Sequence, residues 1–400
     1  MENLIPRTHY MTKIGPFISK NIIKVIIGQR RVGKSYFLYQ IMDHLKKASP
    51  KANIIYINKE LYEFDDLRNY RHLIQHINGL KSSTKKNYIF IDEIQDIDQF
   101  EKALRHFQAE GSYDLYCTGS NAKMLSGDLA TYLSGRYVAM KIFSLSYPEF
   151  LEFHHLQNNP ESFLQYIKYG GLPYLLHLPM EDNVVYDYLR NVYSTILLKD
   201  IVARHRIRNV AFLENLVKYL ADNTGNILSA KRISDFLKSQ RINISPNVIL
   251  NYLSYLVSAF FIFKAPRAEI SGRKIFEIGE KYYFEDLGLR HAIIPYQQRD
   301  INKILENVVY THLAISGYDI AIGKMGNKEI DFVCTRDEKK LYVQVAYLIP
   351  NDRAWDREFN NLLTIKDNYP KMVVSMDEAV GKQYEGITHI HIREFLSEYR

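Results

Sequence analysis

Cysteine is nearly missing: Cys117 and Cys334 are the only two in 400 residues. So few thiols, so far apart, exclude a disulfide scaffold and a thiolate zinc cluster. Cys117 lies in an apolar, strand-like stretch and reads as a buried thiol in a reducing compartment. Long hydrophobic runs are also lacking. None approaches the roughly 18 residues that a membrane-spanning helix needs. The opening stretch Met1-Glu2-Asn3-Leu4-Ile5-Pro6-Arg7 has no apolar core of a signal peptide. The expectation is a cytoplasmic protein without a membrane partner. A large charge excess is absent too. The net charge is +7 and the pI about 9.0, which permits nucleic-acid binding without requiring it. With 46% hydrophobic and 24% charged residues, the composition is ordinary for a globular chain of two to four domains.

Among what is present, the most informative stretch is Gly28-Gln29-Arg30-Arg31-Val32-Gly33-Lys34-Ser35. It meets the phosphate-loop (Walker A) pattern G-x-x-x-x-G-K-[ST] at every fixed position. Asn21 to Ile27 before it is a β-branched run that reads as a buried strand. After it, Phe37, Leu38, Ile41 and Leu45 recur at helical spacing. Glycines let such a loop turn its N–H groups toward phosphate oxygens, and the helix N-terminus adds partial positive charge. Lys34 is expected to reach the β- and γ-phosphates and the Ser35 hydroxyl to ligate Mg²⁺.

A second apolar run, Asn87-Tyr88-Ile89-Phe90-Ile91, ends in Asp92-Glu93, a Walker B pattern. In a parallel sheet these carboxylates reach the carboxyl edge, where ligands bind. Asp92 is expected to hold Mg²⁺ through water and Glu93 to polarise the attacking water, which favours hydrolysis over mere binding. Further strands are read at Ala52–Asn58, Asp114–Thr118 and Tyr137–Phe143, with helical stretches between them. That alternation argues for a parallel sheet covered by helices.

The ordered motifs extend beyond these. Gly-x-Arg-Arg-Val-Gly-Lys-Ser, Ile-Phe-Ile-Asp-Glu-Ile-Gln, Cys-Thr-Gly-Ser-Asn-Ala and Leu-Ser-Gly-Arg-Tyr are followed by Ser144-Leu145-Ser146-Tyr147-Pro148-Glu149-Phe150 and Tyr169-Gly170-Gly171-Leu172-Pro173. Lys199-Asp200-Ile201 and Phe284-Glu285-Asp286-Leu287-Gly288-Leu289-Arg290 complete the series. Over most of the chain this resembles the AAA-type ATPases of bacteria and archaea that carry a C-terminal domain of unknown function. The resemblance implies ATP as the nucleotide. It implies that Asn121 senses the γ-phosphate and that Arg136 is an arginine finger or second sensor. Each also has a plainer reading, as a turn residue and a surface arginine. A finger acting in trans requires a homo-oligomer; one acting in cis does not. The residues leave both open.

The fold class expected is α/β, in four parts. Residues 1–150 form a P-loop AAA-type ATPase core and 151–205 a helical lid. In 206–290, three helices (Ala211–Leu220, Ser229–Leu237, Pro246–Phe260) and a hairpin (Phe261–Pro266, Lys274–Phe284) describe a winged helix. Its third helix shows Asn247, Asn251, Ser254, Tyr255 and Ser258, a polar face able to contact bases. That face has no lysine or arginine. Lys231, Arg232, Arg241, Arg267, Arg273 and Lys274 flank it and could contact phosphates. The order of elements in 291–400 resembles the restriction-endonuclease-like fold. Glu306 and Asp331 match its acids, but the E-x-K positions read Gln344 and Ala346. Those departures remove a metal ligand and the water-positioning lysine, so no nuclease chemistry is expected.

The leading reading is a Mg²⁺-dependent ATPase used as a switch or weak motor, whose C-terminal half engages DNA or a protein. The alternative is a nucleotide-gated signalling protein with slow turnover. An ATP-driven nuclease is a third reading.

Overall fold

The computed structural model describes residues 4–125, 133, 135–270, 279–349, 351–378 and 383–398. The chain divides into two compact units. One is Met1–Phe143 with Ser258–Phe260, and the other is Ser144–Val257 with Phe261–Arg400.

The first unit is built on five parallel strands in the order β2-β3-β4-β1-β5. They are β1 (Ile23–Ile27), β2 (Asn53–Asn58), β3 (Asn87–Asp92), β4 (Tyr113–Gly119) and β5 (Tyr137–Lys141). Every residue of β1, β3 and β4 is buried. That is the pattern of strands covered on both faces, and it explains the near-continuous apolar runs. Helices Lys34–Ala48, Tyr70–Leu80 and Phe100–Glu110 make the crossovers. Because all five strands run the same way, the residues that end β1, β3 and β4 meet at one edge. β4 lies between the other two.

One buried charge interrupts the apolar centre. Lys24 on β1 is fully buried. Its ammonium pairs with Asp114 on β4 and donates to the Lys20 carbonyl at 2.8 Å. Asp114 also accepts from the Ser19 N–H and the Tyr116 hydroxyl. A pair so completely hydrogen-bonded is tolerated inside, whereas removal of one partner would strand a charge.

The second unit opens with helices Tyr147–His154, Pro160–Tyr169 and Asp182–Thr195, the last continuing as a π-helix over Ile196–Ala203. The three helices expected next are present as Val210–Asp222, Ala230–Ser239 and Pro246–Ser258. Ser229 caps the second, accepting the Arg232 N–H at 3.2 Å. An eight-stranded mixed sheet follows, in the order β12-β13-β11-β10-β9-β8-β6-β7. Its strands are β6 (Ile262–Glu269), β7 (Glu280–Phe284), β8 (Asp319–Met325), β9 (Lys328–Arg336), β10 (Lys339–Val345), β11 (Lys371–Ser375), β12 (Gln383–Tyr384) and β13 (Ile387–His391).

The hairpin expected as a wing is β6 with β7. It does not stand apart: β6 also runs parallel to β8, with Arg267 opposite Ile322. The boundary expected at residue 290 therefore falls inside one continuous sheet. Arg273 and Lys274, expected to flank the wing, lie outside the described residues.

The motifs of this unit meet in its interior. The buried Asp286 carboxylate accepts the N–H groups of Gly171 (2.7 Å) and Leu289 (3.0 Å). Gly170 has φ 78, and a Cβ there would stand 2.3 Å from an Asp286 oxygen. Only glycine fits both the backbone and the space. Glu285 accepts the Ser144 N–H at 2.7 Å. Arg290 is fully buried and donates to the Ala221 carbonyl and to Asp300. These motifs are scaffold: they tie residues 144–150, 169–173 and 284–290 together.

Candidate nucleotide-binding site

The phosphate loop leaves β1 at Gly28. A Cβ at that position would come within 2.2 Å of the Ile142 carbonyl oxygen, so the loop has no room for a larger residue. Gly33, at φ 97, turns the chain into helix Lys34–Ala48. From behind, Arg7 braces the loop, donating to the carbonyls of Val32 (3.1 Å) and Phe143 (2.8 Å). Lys34 is buried. Its ammonium donates to the Gln29 carbonyl at 3.0 Å and stands 3.5 Å from Glu93 Oε1. The Gln29 side chain is fully buried, and neither its nitrogen nor its oxygen has a partner.

Asp92 and Glu93 come from the end of β3. The Asp92 carboxylate takes hydrogen bonds from the hydroxyls of Thr118 and, at 3.3 Å, Tyr56, and the Ser35 hydroxyl lies close enough to favour its charged form. Burial raises its pKa, and the Ser35 and Thr118 hydroxyls act against that rise. Burial also pushes the Glu93 carboxyl up. The Lys34 ammonium, the Gln95 amide and the Arg30 guanidinium overcome it and bring Glu93 down to about 2. Glu93 is therefore a carboxylate at neutral pH. Its backbone is left-handed, φ 54 and ψ 49, which costs a non-glycine residue roughly 1–3 kcal/mol and persists where the surroundings enforce it. Here its N–H donates to Thr118 Oγ1 at 2.9 Å. One threonine thus ties both residues together, donating to the Asp92 carboxylate and accepting the Glu93 backbone N–H.

The donor set fits a nucleoside triphosphate with magnesium. Mg²⁺ favours one or two carboxylates with phosphate oxygens and water over an all-protein cage. Ser35 and Asp92 already face each other. The fully buried, unpartnered Gln29 amide lies in the same loop, and such a group gains from any partner that enters.

Asn121 is buried just beyond the end of β4, next to the buried Ser120. It belongs to the same carboxyl edge. Arg136 does not. It is exposed and precedes β5, where Tyr137 pairs with Ile23, the first residue of β1. Four strand steps, about 13 Å, separate that amino edge from the phosphate loop. Residues 126–132 and 134 between them lie outside the described residues.

In the second unit, Glu306, Asp331 and Gln344 come together around one buried lysine. Gln344 Oε1 accepts the Asp331 N–H at 3.3 Å, and Asp331 accepts the Val345 N–H at 2.9 Å. The sequence reading missed the residue at the centre of the group. Lys281, from β7, places its buried ammonium 2.7 Å from Glu306, 2.9 Å from Glu329 and 3.7 Å from Asp331. Burial, then repulsion from Glu306, raises the Asp331 pKa far above the ordinary carboxylate range. Among the described residues, no group of three or more His, Cys, Asp or Glu is arranged to hold a metal ion.

A five-stranded parallel sheet, a phosphate loop after β1 and two acids after β3 define a P-loop ATPase fold of the AAA type. Comparison with known proteins agrees. A family described as "AAA domain" matches residues 20–151, and a domain of unknown function (DUF8612) matches 160–300. An uncharacterized protein of Haemophilus influenzae is 36% identical over 98% of both chains. Uncharacterized protein MJ1544 of Methanocaldococcus jannaschii is 32% identical over 84% of this chain and 77% of its own. The chain belongs with them to a family of AAA-type P-loop proteins with a C-terminal domain of unknown function. Solved structures are more distant. The Aeropyrum pernix ORC1 protein in complex with DNA has a TM-score of 0.33 at 13% identity, covering 72% of this chain and 90% of that one. Caenorhabditis elegans PCH-2 has a TM-score of 0.28 at 13% identity, covering 41% and 49%.

Proposed function

We propose that the protein binds and hydrolyses ATP with Mg²⁺ and uses the cycle as a switch or weak motor acting on a partner held by the second unit. The observation that carries this reading is the arrangement of Lys34, Asp92, Glu93 and Thr118 on one sheet edge. Lys34 neutralises Glu93 in the structure. A triphosphate draws that ammonium to its β- and γ-oxygens, so Glu93 loses its counter-charge as substrate arrives. Its basicity rises, and it orients and polarises a water against the γ-phosphorus. Ser35 and, through water, Asp92 would hold Mg²⁺, which neutralises charge on the phosphates. Asn121, at the same carboxyl edge, would hydrogen-bond the γ-phosphate.

For the second unit two occupants remain, each with its own support. Lys231, Arg232, Lys238, Arg241, Arg206 and Arg208 are exposed around the three helices, which favours a nucleic-acid backbone. Phe236, Val248 and Leu250 are exposed on the same helices, and Ile242 is exposed on the loop between the second and third. Apolar surface of that kind favours a protein and makes the outer face less polar than expected. Cleavage of DNA is not part of the proposal, because Lys281 sits among the acids that would bind metal. No helix among the described residues is long and apolar enough to cross a membrane.

Calorimetric titration with Mg-ATP tests the reading. The wild type should bind. Lys34→Ala should lose at least tenfold in affinity while its melting temperature stays within a few degrees. Equal affinity would remove the phosphate-loop assignment. Turnover with and without duplex DNA then separates the partners: DNA-stimulated hydrolysis supports nucleic acid, and indifference to DNA supports a protein.

A further inference from the structure

Two cations of the phosphate loop are each held by a carboxylate from the end of a neighbouring strand. Lys34 is held by Glu93, after β3. Arg30 is held by Glu60, just after β2: its Nη1 lies 2.9 Å from Glu60 Oε1. The proposed role of Lys34 requires it to leave Glu93 for phosphate. The same exchange is available to Arg30.

Three features favour it. Arg30 is only 7% exposed, yet its partner's side chain is 46% exposed, so water on the Glu60 side screens the pair and weakens it. Arg30 lies close enough to Glu93 to lower that carboxyl, so its charge already acts where the terminal phosphate must sit. A guanidinium also binds a phosphate dianion through paired donors more strongly than a solvated carboxylate.

Glu60 belongs to a turn tied to the nucleotide edge. Its N–H donates to Asn58 Oδ1 at 2.9 Å, and Asn58 pairs with Asp92 across β2 and β3. The Lys59 N–H donates to the Asp92 carbonyl at 3.2 Å. The next residues are exposed, Leu61 at 46% and Tyr62 at 90%.

We propose that Arg30 is a catalytic residue acting in cis, which exchanges Glu60 for the terminal phosphate of a bound nucleoside triphosphate and so releases the turn carrying Tyr62. The charge it brings stabilises the transferred phosphoryl group. This rests on the nucleotide reading above and adds a sensor that separates triphosphate from diphosphate, because only the triphosphate reaches Arg30.

The test uses the full chain. Affinities for Mg-ATP and Mg-ADP are measured by calorimetry, and turnover by phosphate release, for the wild type, Arg30→Ala and Glu60→Gln. Arg30→Ala should lower ATP affinity and kcat at least tenfold while ADP affinity changes less than threefold; intact ADP binding also proves the pocket folded. Glu60→Gln frees the guanidinium and should tighten ATP severalfold without changing ADP. A Tyr62→Trp reporter should change fluorescence on adding ATP but not ADP, with Trp355 as a constant background, and the response should vanish in Arg30→Ala. Wild-type discrimination and kcat in Arg30→Ala would overturn the proposal. So would equal ATP affinity in Glu60→Gln, which decides the matter if Arg30→Ala does not fold. Should the wild type bind neither nucleotide, the reading of the site itself fails instead.

Discussion

Thr118 ties the two acids of the site together, although its hydroxyl touches them across 25 and 26 residues of chain. Thr118→Val keeps the shape and removes both hydrogen bonds. It leaves the buried Glu93 N–H without its acceptor and Asp92 short of a donor, at a cost of about 1–3 kcal/mol. The expected result is turnover reduced at least tenfold with ATP affinity within about threefold of the wild type. Phosphate release and calorimetry on the same preparation check it, and unchanged turnover would remove the role. Gly28 to Ser35 and Asp92-Glu93 were legible in the sequence because each is a local pattern. Thr118 was legible only as a letter in a motif, since its task depends on β4 lying between β1 and β3. Arg7 was invisible for the same reason: one of its partners is Phe143, 136 residues away.

At the scale of elements, the parallel strands were readable from apolar runs that had to be buried on both faces. The charge inside β1 did not disturb that reading, and Asp114 on β4 explains why it is tolerated. The hairpin was found, but its place in the larger sheet was not, because the partner of Arg267 is Ile322 and parallel pairing leaves no local mark. Lys281 on β7 joins that hairpin to Glu306 on helix Ile301–Ile315 and to Glu329 and Asp331 on β9. The cluster makes stability depend on pH. The Asp331 pKa is raised in the folded chain, mainly by burial, so the folded state holds this proton more tightly than the unfolded one. Its contribution is complete below the ordinary carboxylate value of about 3.9 and is lost as pH climbs through the raised value. Lys281, itself raised, stays charged throughout. The melting temperature of the wild type should therefore fall between pH 5 and pH 9 more steeply than that of Asp331→Asn. Parallel slopes in scanning calorimetry would show that Asp331 ionises normally.

For the whole molecule, the placement of Arg136 narrows its role. At the amino edge of the sheet it stands about 13 Å, four strand steps, from the phosphate loop of its own chain, so a finger role would have to be exercised on a second copy. Activity per subunit should then rise with protein concentration. Arg136→Ala and Glu93→Gln, each inactive alone, should regain activity when mixed, because each supplies what the other lacks. Concentration-independent turnover without rescue would leave Arg136 a surface residue. The central claim is hydrolysis, and Glu93 carries it. Glu93→Gln is nearly isosteric and keeps hydrogen bonding, but it cannot take up the proton or charge of the attacking water. Single-turnover phosphate release from Mg-ATP, with both proteins saturated, is the most direct measurement. The account predicts release by the wild type and a loss of at least a hundredfold in Glu93→Gln with binding retained; equal rates in the two proteins would contradict it.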